Sequence, residues 1–165
     1  MMQNRNKTKK PWVVRLMTEK DLEWIYRKFQ IVNPTLSPEF VNNWARKCLK
    51  DYPDLCFVAQ KNEKTPIGAL TGYLRWGNIP YVEDLWVEPK FRGRGIGRAL
   101  IQQLLMSLEK RKAEIVKVEA NPAKFSAAIG FYYRLGFRVC GFEQNRFGVG
   151  PEADSILLSY SFIKE

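Results

Sequence analysis

Apolar and polar positions along the chain fall into two rhythms. Trp12-Val-Val-Arg-Leu-Met17 reads as a strand. Thr18, with Asp21 three residues on, then opens a helix to about Gln30. Ser37-Pro38-Glu39 marks a second helix start: a cap, Pro at the first helical position, and an acid in the first turn. That helix runs to about Lys50, and Asp51–Asp54 turns the chain. Leu55–Gln60 and Ile67–Trp76 alternate as antiparallel strands do, joined by the polar turn Lys61–Pro66. Gly77-Asn78 turns into a further strand, Tyr81–Val87. Past a run of glycines, Ile96, Leu100, Leu104 and Leu108 recur every fourth position, flanked by Ile101 and Leu105. They predict a long helix to about Lys110 with one buried face. Glu114–Glu119 is a short strand, and Ser126–Leu135 a helix closed by Gly136. Phe137–Phe142 and Ser155–Phe162 are two last strands that pair. The order predicts a mixed α/β fold: a six- to seven-stranded, mostly antiparallel sheet flanked by about four helices, with one βαβ crossover at the glycines.

A length of 165 residues with 45% apolar positions fits one domain with a real core. Residues 1–10 read as a disordered basic tail and 11–165 as the single domain. No apolar run approaches the roughly 18–20 residues of a membrane span. The first ten residues lack the apolar stretch of a secretory signal, so the expected location is cytoplasmic. Three widely spaced cysteines (Cys48, Cys56, Cys140) read as free core thiols. The chain has no histidine, which removes Ser-His-Asp and Cys-His mechanisms and most zinc sites; no metal is expected.

The net charge of +10 favours anionic partners. One of its local concentrations alternates with glycine: Arg92-Gly93-Arg94-Gly95-Ile96-Gly97-Arg98, between a strand and an amphipathic helix. The first N–H groups of a helix have no internal acceptor and carry the positive dipole end. Glycine lets a phosphate approach them closely. The dinucleotide pattern G-x-G-x-x-G/A fails in both frames, at Arg98 and at Leu100, and the Walker Gly-Lys-Ser/Thr is absent. A continuous basic stripe interleaved with aromatics, as a single-stranded nucleic-acid site needs, is also lacking.

What remains, Arg92-x-x-Gly95-x-Gly97, resembles the GNAT superfamily of acyl-CoA-dependent N-acyltransferases, over roughly residues 12–163. Tyr81-Val-Glu-Asp-Leu-Trp-Val87 is similar to the family's fourth strand. Ala128-Ile-Gly-Phe-Tyr132-Tyr-Arg-Leu-Gly136-Phe137 is similar to its second signature. The resemblance implies a GNAT-like sheet and acetyl-CoA as cosubstrate. It places coenzyme pyrophosphate on Arg92, Gly93, Arg94, Gly95, Ile96, Gly97 and Arg98. It also implies a bulged fourth strand whose backbone at Leu85, Trp86 and Val87 meets the acetyl carbonyl and pantetheine amides, and a coenzyme contact at Phe131. Tyr132 would protonate the leaving thiolate.

Glu83 and Asp84 are the candidates to deprotonate the amine. Strand neighbours point to opposite faces, so one of them should reach the site. The resemblance favours Glu83, because polyamine and streptothricin acetyltransferases carry a similar Tyr-hydrophobic-Glu-Asp stretch; the other reading pairs it with a surface lysine. The family's Asn seven residues ahead of the tyrosine is Phe125 here, and Asn121 lies four residues earlier, so this loop departs from the pattern.

Residues 26–46 and 142–154 would shape the acceptor site, with Trp24, Tyr26, Phe40, Trp44, Trp76 and Phe147 as aromatic walls or core. Three functions stay open: direct acetylation of a small-molecule amine, N-terminal or lysine acetylation of protein or peptide, and a non-enzymatic class, either basic nucleic-acid binding or acyl-CoA sensing. Nucleic acid and membrane are the disfavoured partners; monomer and homodimer are both compatible with the sequence.

Overall fold

The computed structural model describes residues 11–32, 36–62, 65–146 and 148–163. The expected tail 1–10 and Phe147 lie outside the described residues. The strands are β1 (Val13–Leu16), β2 (Phe57–Lys61), β3 (Thr65–Arg75), β4 (Ile79–Val87), β5 (Ile115–Ala120), β6 (Arg138–Glu143) and β7 (Ser155–Ser161). The helices are α1 (Leu22–Val32), α2 (Pro38–Asp51), α3 (Ile96–Lys110) and α4 (Ser126–Arg134). The seven strands form one sheet in the order β1-β2-β3-β4-β5-β7-β6. Every neighbouring pair is antiparallel except β4 and β5, which run parallel because α3 carries the chain back between them.

Local chemistry explains most boundaries. Ser37 Oγ accepts the Phe40 N–H at 3.1 Å, so α2 begins where its cap and Pro38 dictate. The helix expected from Thr18 instead opens with a 3-10 turn, Glu19–Asp21. Asp21 is buried there. Its carboxylate accepts the Thr18 N–H at 2.8 Å and both Arg15 Nη atoms at 2.8 Å, which ties the first turn down to β1. Gly136, at φ +97, ends α4 in the left-handed region. β7 does pair with β6, and it also enters the sheet between β6 and β5.

The sheet separates two apolar layers. The α3/α4 layer holds the predicted stripe, Ile96, Leu100, Leu104 and Leu108, against strand residues such as Leu70, Val82, Val118 and Leu158. The α1/α2 layer packs Ile25, Phe29, Val41 and Cys48 on Cys56, Val58, Ala69 and Trp86. Cys48 and Cys56 are thus core thiols as expected. Cys140 is not: it is exposed on β6, the strand at one edge of the sheet, where no layer covers it. Among the described residues no helix is long and apolar enough to cross a membrane.

Candidate active site

The site begins with a fault in the sheet. Thr71 pairs with Asp84 and Gly72 with Val82, so Glu83 is the extra residue of a β-bulge in β4. The bulge reverses the strand's alternation. Val82 points into the α3/α4 layer, and beyond the bulge Leu85 and Val87 do so, while Trp86 enters the α1/α2 layer. Gly72 makes this register possible, since a Cβ there would stand 3.0 Å from the Leu55 carbonyl oxygen. On the other side of β4, pairing with β5 stops after Tyr81↔Lys117 and Val82↔Val118. The two parallel strands then diverge, and the β4 edge from Glu83 to Val87 borders an opening instead of a neighbouring strand.

The bulge corrects the expectation that only one of two neighbouring carboxylates reaches the site. Glu83 and Asp84 both line a cleft of about 490 Å³ at this opening. Phe40, Trp44, Tyr73 and Tyr81 wall it on one side and Phe125, Phe131 and Tyr132 on the other, with Glu119 and Arg146 also at its surface. Solvent reaches Glu83 through the mouth of the cleft, yet protein surrounds it on its other sides. Loss of hydration, then the adjacent Asp84 charge and Glu119, push its pKa up to about 7; the Trp44 indole N–H and Arg146 work against this. Tyr132 is buried, with ring neighbours Phe131 at 5.1 Å and Phe137 at 5.3 Å. Burial and the Asp84 charge raise its pKa, so the phenol keeps its proton.

The glycine loop follows β4 directly. Gly93 and Gly95 take φ of +72 and +82, conformations that suit glycine, and both are exposed. The first turn of α3 closes with the Ala99 N–H on the Gly95 carbonyl, so the N–H groups of Ile96, Gly97 and Arg98 precede the helical ladder. The Ile96 side chain itself is buried in the core; only its backbone faces the loop. Arg92, Arg94 and Arg98 are exposed around this turn. Arg92 also holds the loop to the strand: its Nε donates to the Val87 carbonyl at 2.9 Å, and its guanidinium lies 5.1 Å from the Trp86 ring centroid. Trp86 therefore meets the loop from the α1/α2 layer and does not line the cleft. A Cβ on Gly97 would lie 3.3 Å from the Phe131 ring, so this glycine also lets α3 and α4 meet beside the cleft.

The other sequence candidates divide. Phe40 and Trp44 line the cleft. Trp24 and Tyr26 pack against the α1/α2 layer, and Trp76 is 80% exposed on the β3–β4 turn, away from the cleft. Phe125, at the position where the family has Asn, caps α4 and borders the cleft. Asn121 is largely buried and also lines the cleft: its Oδ1 accepts the Lys124 N–H at 2.9 Å and its Nδ2 donates to the Glu152 carbonyl at 2.5 Å, joining the end of β5 to the β6–β7 connection.

Tyr73, Tyr81 and Glu119 were not among the sequence candidates, and Arg146 was covered only by the range 142–154. The two tyrosines had a signal, since a hairpin turned at Gly77-Asn78 sets Tyr73 opposite Tyr81. Glu119 had none, and nothing singled out Arg146 within its range, because their approach depends on β7 entering the sheet beside β5.

A glycine-rich helix start placed beside diverging parallel strands in an otherwise antiparallel sheet is the architecture of coenzyme-A-dependent acyltransferases of the GNAT type. The family model described as the acetyltransferase (GNAT) family matches residues 19–137, and the chain belongs to that family of N-acetyltransferases. An uncharacterized N-acetyltransferase of Methanocaldococcus jannaschii is 35% identical over 104 residues, covering 57% of this chain and 45% of that protein. The streptothricin acetyltransferase of Streptomyces lavendulae is 31% identical over 90 residues, covering 54% and 47%. The chain thus spans about half the length of these curated relatives. In fold it is similar to Arabidopsis thaliana Naa50, solved in complex with the bisubstrate analogue CoA-Ac-MVNAL. The TM-score is 0.74 at 23% identity, over 92% of this chain and 99% of that one.

Proposed function

We propose that this protein transfers the acetyl group of acetyl-CoA directly to the amine of a small molecule. The observation that carries the reading is the bulge, which sets two adjacent carboxylates inside one aromatic-walled cleft next to the glycine loop. Acetyl-CoA fits the residues present. The free N–H groups of the α3 start and Arg92, Arg94 and Arg98 suit its pyrophosphate, and the unpaired β4 edge at Leu85, Trp86 and Val87 suits the pantetheine amides and the acetyl carbonyl. It supplies an acetyl thioester, an electrophile that needs little further activation.

An alkylammonium ion, with a pKa of about 10.4, must lose a proton before it attacks. Glu83 and Asp84 attract the cation, the aromatic rings around them suit its alkyl body, and Glu83, poised near neutrality, accepts the proton. Tyr132 keeps its own proton and so can donate a hydrogen bond to the sulfur as negative charge develops there. The cleft's volume of about 490 Å³ is that of a small-molecule pocket. The test is thiol release from acetyl-CoA over a panel of polyamines, aminoglycosides, amino acids and peptide N-termini. Turnover confined to peptides would replace the small-molecule reading by protein acetylation. Tight coenzyme binding with no turnover on any acceptor would overturn the enzymatic reading.

A further inference from the structure

The cleft has a second charged cluster, whose members take no proton in the proposed transfer and act on Glu83 only through their charge. Glu119 sits on β5 one residue beyond the last β4–β5 pair, with a side chain 18% exposed. Arg75, from the end of β3, reaches its Oε1 through Nη1 at 3.2 Å; Arg146, from the β6–β7 connection, reaches its Oε2 through Nε at 3.0 Å. Both oxygens of one carboxylate are therefore engaged by separate guanidinium groups. Glu143 adds a 3.4 Å contact to Arg146, but its side chain is 64% exposed, and water screens that pair.

The two arginines are placed differently. Arg75 is held behind Tyr81, with its guanidinium 5.3 Å from that ring's centroid, and does not line the cleft. Arg146 lines it. A structured turn presents Arg146: the Asn145 N–H donates to Asp154 Oδ1 at 2.8 Å, and Asn145 Oδ1 accepts the Gly150 N–H at 3.0 Å. One cleft thus carries two carboxylates at the bulge and, also on its lining, Glu119, Lys124 and Arg146, while Arg75 reaches Glu119 from outside it.

We propose that the acceptor is an amino acid, with its amine at Glu83 and Asp84 and its carboxylate on Arg146. The inference rests on the acetyl-transfer reading and narrows it. A diamine or polyamine would bring a second ammonium against Arg146 and Lys124, and Glu119 is already shared between Arg146 and Arg75. A carboxylate there gains a charge-assisted hydrogen bond.

The experiment compares acceptors of equal chain length that differ only at the far end, such as aminopentanoate, pentylamine and diaminopentane, repeated with shorter and longer chains. Thiol release gives kcat/KM. Titration calorimetry on the protein loaded with coenzyme A gives affinity independently of turnover. At the best length the carboxylated acceptor should exceed the diamine by about tenfold or more in both readouts. Arg146→Gln should abolish that preference through KM and affinity, and Arg146→Lys, which keeps the charge and a contact to Glu119, should retain part of it. A diamine equal or superior at every length would overturn the proposal, as would an Arg146→Gln protein that weakens all three acceptors alike. If none is acetylated but the carboxylated ligands still bind best through Arg146, the transfer reading fails and the amino-acid site stands.

Discussion

Glu83 carries the pH dependence of the proposed reaction. Desolvation and the Asp84 charge put its pKa at about 7, far above the ordinary glutamate value of about 4.3. It serves as a base only when ionised, so kcat/KM should rise through about pH 7 and level off above it. Glu83→Gln should remove that limb and lower kcat by roughly 10²-fold or more, as measured in a pH–rate profile. Stability moves the opposite way. A carboxyl with a raised folded pKa contributes stability below its unfolded pKa, and that contribution is lost as pH rises through the folded value. Glu83→Gln should therefore raise Tm relative to the parent at about pH 8 and change it little at about pH 4. Tyr132→Phe keeps the ring contacts with Phe131 and Phe137 and removes only the hydroxyl. It should lower kcat with little change in coenzyme affinity; an unchanged kcat would remove Tyr132 from the chemistry.

At the scale of the element, the β4 bulge decides which side chains share the cleft. Its tolerance is set from β3, where Gly72 lies against Leu55. Gly72→Ala should cost about 1–3 kcal/mol in denaturant unfolding, because the Leu55 backbone has little room to retreat. Activity should fall further than stability accounts for, since relief of the clash shifts the register that sets Glu83 and Asp84 side by side. The bulge was expected from the family resemblance and not from the two acids themselves. Opposite faces for Glu83 and Asp84 hold only in an unbroken alternation, and one extra residue reverses the faces beyond it. Helices were more legible: α2 follows from Ser37 and Pro38, and α3 from an apolar stripe whose period needs no partner to be read.

For the whole molecule, the net charge of +10 is spread along the chain, and one local concentration, Arg92, Arg94 and Arg98, stands where the coenzyme's phosphates would lie, at the start of α3. Coenzyme A at about a hundredfold its Kd should stabilise the fold by about 2.7 kcal/mol. A domain of this size should show that as a Tm rise on the order of 5–11 °C. Added salt should shrink the rise, because exposed arginine–phosphate contacts are screened. Arg92→Ala should remove most of it, since Arg92 supplies charge and also fastens the loop to Val87. A Tm unmoved by coenzyme A would count against the loop as its site.

The amino-acid order alone determined the seven strands and four helices within a few residues, the crossover at the glycines, and the anion-binding character of the α3 start. Each of these is a local property: a period, a cap, a glycine conformation or a run of charge within one stretch of chain. Only the tertiary structure decided that Glu83 and Asp84 share a cleft, that Cys140 is exposed, and that Arg75 and Arg146 converge on Glu119. Those facts depend on sheet register and on β7 entering between β5 and β6, which brings together residues far apart in the chain. The loop proposed to hold the donor is written in consecutive residues, while the cleft proposed for the acceptor is assembled from six elements, α1, α2, β3, β4, β5 and α4.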